Sequence, residues 1–173
     1  PYSGVYSNGL PQATGLSFDC SNSPEGICQP SLITFHSGIA NEYNIETDCE
    51  NNLSYLCSQG VMLLNRSLTV GYKRIGDHIC WWDDFMQYFL GVVNDYFSGI
   101  PIVLLGKDAQ YLEKWIRPLN NPLYKLEHPS KAARENRIWS TNGTFKLINE
   151  YLYSHNKESI CWHSKLYKEE LPF

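Results

Sequence analysis

Ile100-Pro101-Ile102-Val103-Leu104-Leu105-Gly106-Lys107-Asp108 is the stretch on which the fold turns. The four aliphatic residues after Pro101 are too few for a helix and too uniformly apolar for a half-exposed strand, so they read as a strand buried on both faces. Pro101 is confined to its start, where no ladder donor is needed. Gly106-Lys107-Asp108 then turns into a helix carrying Tyr111, Leu112, Trp115 and Ile116. Upstream, Trp82, Phe85, Met86, Phe89, Leu90, Val93 and Phe97 recur at intervals of three or four and predict an amphipathic helix. Asp83 and Asp84 fall in its first turn, at the positive end of its dipole, and Gly99 lies just past its end. Downstream, Leu123 to Leu126 reads as another short strand. A last helix starts near Asn142 and presents Phe145, Ile148 and Leu152.

Farther back, Gly60-Val61-Met62-Leu63-Leu64-Asn65 is a third apolar run of strand length. Residues 1–32 are rich in Gly, Ser, Pro and Asn and read as loops around a short buried piece, Gly15-Leu16-Ser17-Phe18. From Ile33 to Asn52 the chain is polar and irregular, with room for one short helix. Strands alternating with helices define an α/β sandwich with a mainly parallel sheet. At 173 residues, 43% of them hydrophobic, the chain suits one domain with its own core. It has no apolar run long enough to cross a membrane.

The formal net charge is −4, which by itself disfavours a nucleic-acid binder. Its distribution does not. Asp19, Glu25, Glu42, Glu46, Asp48 and Glu50 lie in residues 1–60, which hold no Lys or Arg. Residues 107–147 carry eight bases (Lys107, Lys114, Arg117, Lys125, Lys131, Arg134, Arg137, Lys146) against four acids (Asp108, Glu113, Glu127, Glu135). A local basic surface of this kind can meet phosphates on an acidic protein.

Six cysteines (Cys20, Cys28, Cys49, Cys57, Cys80, Cys161) contain no C-x-x-C pair, so zinc-ribbon and iron–sulfur spacings are absent. The five histidines show neither H-x-x-x-H nor H-E-x-x-H spacing, and no metal or cofactor is expected. The even cysteine count and sequons at Asn52, Asn65 and Asn142 would fit a secreted, disulfide-bonded glycoprotein. The preferred expectation is reduced, buried thiols, because a chain of this length can bury a core without staples.

In a parallel sheet, ligands bind beyond the carboxyl ends of the strands. Here those ends lead into Asn65, Gly106-Lys107 and Glu127-His128-Pro129-Ser130. Each alone is weak. Gly106-Lys107 lacks the Walker spacing, and no G-x-S-x-G elbow accompanies the serines and histidines. Their order and surroundings say more. Pro1-Tyr2 resembles the end of a G-Q-D-P-Y motif, and Gln12-Ala13-Thr14-Gly15-Leu16-Ser17-Phe18 resembles Q-A-H-G-L-x-F. Gln29-Pro30-Ser31-Leu32 resembles P-P-S-L, and Gln59 to Asn65 with Leu68-Thr69-Val70 resembles Q-G-V-L-L-L-N-x-x-L-T-V. Trp82 and Phe85 match W-x-x-F, Leu105 to Gln110 resembles W-G-x-x-A-Q, and His128-Pro129-Ser130 matches H-P-S. Seven motifs in one order resemble the family-1 uracil-DNA glycosylases over most of the chain.

The resemblance implies a three-layer α/β/α sandwich around a mainly parallel four-stranded sheet. It implies an enzyme that flips uracil out of DNA and hydrolyses its bond to the sugar. Carried over residue by residue, His128 is the catalytic electrophile against uracil O2. Phe18 stacks on the base, Asn65 reads its edge, and Tyr2 excludes the 5-methyl of thymine. Ser31, Gly106, Lys107 and Ser130 grip phosphates, and Lys131 and Arg134 lie on a DNA-facing loop. The expected partner is uracil-containing DNA, single- or double-stranded, and the expected location is intracellular, at sites of replication or repair. The family's water-positioning Asp and its central strand would precede Pro1. The expectation is therefore one glycosylase-like domain over residues 1–173 that lacks an N-terminal portion, with no carboxylate in the sequence clearly marked to replace that Asp and Asp19 and Asp77 the weakly supported substitutes. Ser3 stands where the family has His, and the segment from Ser3 to Pro11 is longer than the family's loop. Lys131 and Ala132 stand where it has Pro and a wedging Leu, a place Arg134 could fill. These departures suit a viral or otherwise divergent member. The alternative is a catalytically inactive scaffold that binds DNA or a replication protein.

Overall fold

The computed structural model describes residues 3–24, 27–47, 49–164 and 167. Helix α1 (Pro30–Tyr43) opens on Pro30 at its first turn, where a missing N–H costs nothing. Leu32, Phe35, His36, Ile39 and Ala40 are its buried face, at i, i+3, i+4, i+7 and i+8. It stops at Asn44, whose left-handed conformation (φ 56°) returns its N–H to the last turn. This full 14-residue helix corrects the expectation of irregular chain from Ile33 onward. Ile33, Thr34, Ser37 and Gly38 are weak helix formers that mask the pattern, and burial of one face overrides their propensity.

After a short helix α2 (Ser54–Ser58), Gly60 to Asn65 runs outside any ladder. Val61 N–H bonds back to Leu56, and Leu63 O accepts from Ser17 N–H at 3.2 Å. Met62 is 64% exposed. The apolar run was expected to be a strand. Among the described residues no strand pairs with it, and isolated hydrogen bonds take the place of a ladder. A turn of 3-10 helix (Ile79–Trp82) then leads into α3 (Asp83–Tyr96), the helix foreseen from the three-four periodicity. Met86, Leu90 and Asn94 form its buried line, whereas Phe85 is 43% and Phe97 52% exposed, so the apolar stripe is wider than the face that packs.

Strands β1 (Ile102–Leu105) and β2 (Leu123–Leu126) are parallel, with Ile102 opposite Leu123 and Leu105 opposite Leu126. They are the two named strands among the described residues, against four expected. Between them come α4 (Gly106–Gln110) and a 3-10 turn (Tyr111–Trp115), tighter and shorter than the continuous helix expected. Helices α5 (Pro129–Arg134) and α6 (Thr144–Ser154) follow, and α6 buries Phe145, Ile148 and Leu152 as anticipated.

Alternate residues of the strands face opposite ways. Val103, Leu105, Tyr124 and Leu126 belong to a large cluster with Leu32, Phe35, Ile39, Leu56 and Ile148 from α1, α2 and α6. Ile102, Leu104 and Leu123 belong to a smaller one with Met86 and Leu90 of α3 and with Leu112 and Ile116. Helices therefore cover both faces, which is the sandwich expected. Two buried amides fix the entry to the strands. Asn94 donates to Trp115 O (2.7 Å) and accepts from Arg117 N–H, and Asn121 accepts from Ile100 N–H (2.9 Å).

The cysteines depart from the all-thiol expectation. Cys28 and Cys49 are joined by a disulfide, which ties the chain before α1 to the chain after it. Cys20 is buried, Cys57 and Cys161 are half-buried and Cys80 is exposed, and none of the four is in a disulfide.

Candidate active site

Because β1 and β2 run parallel in register, Leu105 and Leu126 end side by side. The residues that follow them, Gly106 and His128, share one rim. A Cβ on Gly106 would lie 2.7 Å from His128 Cβ, and its φ is +83°, so both the contact and the conformation require glycine. Gln110 donates to Leu126 O (2.9 Å) and locks α4 onto the end of β2.

His128 is the residue before α5, and its side chain caps that helix. Nδ1 accepts from Ser130 N–H at 3.1 Å, and Ser130 Oγ lies 2.8 Å from the same nitrogen. A nitrogen that accepts a backbone N–H carries no proton, so the neutral ring holds its proton on Nε2. Burial pushes the His128 pKa below the usual histidine value. The charge of Arg134 pushes the same way and that of Asp108 opposes it. The result is a neutral donor at pH 7. With Nδ1 unprotonated, the Ser130 hydroxyl also donates its proton to that nitrogen.

Phe18 is left-handed (φ 67°), a conformation rarely held by so bulky a residue. That twist aims its ring between Phe35 (centroids 5.7 Å apart, planes 20° apart) and His128 (5.2 Å, 29°). Its outer face is thus shared with the imidazole rather than fully open. Asn65 is half-buried at the end of the extended run, and its Oδ1 accepts from Ser17 Oγ at 3.1 Å. Among the described residues one Oδ1 lone pair and both Nδ2 hydrogens have no further partner. The structure therefore joins Phe18, Ser17 and Asn65, and separately Phe18, His128, Ser130 and Gly106.

The remaining residues fare differently. Tyr2 lies outside the described residues. Ser31 is half-buried in the first turn of α1, and Lys107 is exposed in α4. Lys131 is not a free cation. Glu127 holds it at 2.8 Å, Glu135 reaches it at 4.0 Å, and Arg137 clasps the same two carboxylates. Arg117 and Lys125 are paired as well, so the basic surplus rests on Lys107, Lys114, Arg134 and Lys146, which have no ion pair among the described residues. Ala132 is fully buried, so the position of the family's wedge points into the core here, while Arg134 is exposed.

Neither substitute carboxylate suits water activation. Asp19 is buried with Oδ1 accepting from Leu53 N–H (2.7 Å) and Oδ2 from Ser21 N–H and Oγ. Asp77 closes the turn at 71–77, accepting from Gly71 N–H and pairing with Arg74. The Gly71 bond is the main cause of its lowered pKa. Sequence reasoning also missed Arg66, next to Asn65. Its guanidinium bonds Asp83 (2.9 Å) and Asp108 O (3.1 Å) and stacks on Tyr111 (4.1 Å), which ties the Asn65 segment to α3 and α4. Its partners are 17 to 45 positions away, so no local spacing announces it.

These elements define an α/β sandwich in which a half-buried neutral histidine at the strand-end rim meets a left-handed aromatic, with a positioned amide joined to it through Ser17. No family model matches the chain. Individual proteins do. The uracil-DNA glycosylase of Pseudomonas aeruginosa (strain PAO1) is 33% identical over 156 residues, covering 90% of this chain and 66% of the relative. That of Amoebophilus asiaticus is 30% identical over 156 residues, covering 90% of this chain and 70% of the relative. The crystal structure of mimivirus uracil-DNA glycosylase matches with a TM-score of 0.79 at 23% identity, covering 94% of this chain and 64% of that one. A substituted mimivirus UNG in complex with UGI matches at 0.81 and 22%. The chain belongs to the uracil-DNA glycosylase family. It spans 66% of the length of the Pseudomonas relatives that it matches.

Proposed function

We propose that the protein excises uracil from DNA, hydrolysing the bond between base and sugar and leaving an abasic site. The observation that carries this reading is the neutral His128, with Nδ1 held by the Ser130 backbone and Nε2–H left as a donor beside Phe18. As the glycosidic bond breaks, the departing base gains negative charge at O2. A donor fixed there stabilises the transition state more than the ground state. A neutral imidazole is a suitable donor because it can keep its proton throughout.

Flipping a nucleotide from the stack costs a few kcal/mol, which the pocket and the phosphate contacts must offset. Phe18 supplies the stacking face, which a base would share with the His128 imidazole. Asn65 Oδ1 accepts from uracil N3–H, and Nδ2 donates to O4. Cytosine reverses both groups and would leave them unpaired. Tyr2 would exclude the methyl of thymine by bulk. Ser31, the Gly106-Lys107 turn, Ser130 and Arg134 are the proposed phosphate contacts, with Lys131 a weaker one because of Glu127. The substrate is uracil-bearing DNA, and the place of action is wherever the cell's DNA is replicated or repaired. A replication protein is the proposed further partner.

The test uses oligonucleotides carrying a single deoxyuridine, thymidine or deoxycytidine, with the released base separated by chromatography. Free uracil from the first and no base from the other two is expected. Equal release from all three, or release of thymine, would overturn the reading.

A further inference from the structure

Ser17 is held twice by the segment that carries Asn65. Its N–H donates to Leu63 O at 3.2 Å and its hydroxyl to Asn65 Oδ1 at 3.1 Å. Leu63 and Asn65 are two residues apart on an extended run and so face the same way, and one serine bridges them. The next residue is Phe18, whose left-handed backbone turns its ring toward His128. Ser17 is thus the joint between the stacking ring and the amide.

We propose that Ser17 is a positioning residue that fixes the Asn65 amide relative to the Phe18 ring and so sets the preference for uracil over cytosine. The proposal rests on the base-reading role of Asn65 given above. Its physical basis is the single hydroxyl proton. Donated to Oδ1, that proton leaves one lone pair for a ring N–H and both Nδ2 hydrogens for a carbonyl, the uracil pattern. If the amide turned over, Nδ2 would face Ser17, the hydroxyl would have to accept instead, and its proton would lose its acceptor. The overturned amide presents the cytosine pattern. Ser17 therefore penalises the wrong orientation before any base arrives.

The test compares wild type, Ser17→Ala, Ser17→Thr and Asn65→Asp, using free uracil and free cytosine as competitors and single-turnover release from deoxyuridine DNA. Ser17→Ala keeps the backbone bond to Leu63 and removes only the hydroxyl. Loss of one hydrogen bond predicts uracil binding and release weakened about fivefold, the uracil-to-cytosine binding ratio falling by about the same factor, and a melting temperature lowered by only a few degrees. Ser17→Thr, which retains a hydroxyl, is expected to restore the ratio. A Ser17→Ala protein with wild-type ratio, or one that loses rate with the ratio intact, overturns the inference alone if Asn65→Asp still alters selectivity. If Asn65→Asp also leaves selectivity unchanged, the base-reading role falls and the inference with it.

Discussion

The state of His128 ties the chemistry to pH. Its pKa is depressed, by burial first and by Arg134 second. The active, neutral form therefore persists below the usual histidine value, and kcat should fall only as pH drops through the lowered pKa. The same depression means that the unfolded chain binds the proton more readily. The stability linked to this group is thus present above the ordinary histidine pKa and lost as pH falls through the lowered one. Removing the neighbouring charge with Arg134→Ala should move the acid limb of the rate profile upward, and a limb that stays in place would dissociate Arg134 from the imidazole. His128→Leu should lower the chemical step by about 10² to 10³ with DNA affinity nearly unchanged, as for the loss of one oxyanion donor. Equal losses in rate and affinity would instead mark His128 as structural. Asn65→Asp should weaken uracil excision and admit cytosine. Unchanged base selectivity would remove Asn65 as the reader.

At the scale of elements, the rim depends on two chain segments that nearly touch. Gly106→Ala puts a methyl 2.7 Å from His128 Cβ and forces an L residue to φ +83°. We expect about 1–3 kcal/mol of lost stability from strain at this position, read by denaturant melting, together with a rate loss because His128 must shift. A fully active, equally stable variant would show that the two segments are not coupled. Helix α5 makes a finer prediction. Arg134 has no ion pair among the described residues, whereas Lys131 is held by Glu127. Arg134→Ala should therefore reduce the slope of log affinity against log salt by about 0.7–0.9, one phosphate's worth, and Lys131→Ala by less. The opposite ranking would place Lys131 on the DNA.

Elements differ in how far their sequence announces them, for physical reasons. Helices α3 and α6 follow from periodicity because each buries one regular face, and strands β1 and β2 follow from short apolar runs because both faces of the sheet are covered. Helix α1 does not, because β-branched residues and glycine dilute its signal and its face is completed by His36 and Ala40. The strand-end rule brings Gly106 and His128 together because β1 and β2 stop side by side, whereas Asn65 ends an extended run that belongs to no ladder. Ser17, Arg66 and the clasp of Lys131 by Glu127 and Glu135 stay hidden. The first two act across 17 to 48 positions. The third is a matter of rotamers, and a charge count cannot foresee it.

For the whole molecule, two clusters on either side of a narrow sheet give the chain its core, and one disulfide encloses α1. Cys28 and Cys49 are separated by 21 positions, so reducing the bond should lower stability by about 3 kcal/mol through the entropy returned to the unfolded chain. Thiol titration of the denatured protein is expected to give four free groups before reduction and six after. Six before reduction would refute the bond. The loss should concern α1 and the Ser31 turn more than the β1–β2 rim, so reduced protein should bind DNA less tightly while keeping its base preference.

The central claim is that the rim built by Phe18, Asn65, Gly106 and His128 excises uracil. Its most direct test is single-turnover incubation of the full-length protein with a single-stranded oligonucleotide carrying one deoxyuridine, counting free uracil and abasic sites together. The account predicts one uracil and one abasic site per oligonucleotide, with both lost in His128→Leu. Folded protein that binds the DNA and releases no uracil would contradict it and mark the rim as a binding scaffold.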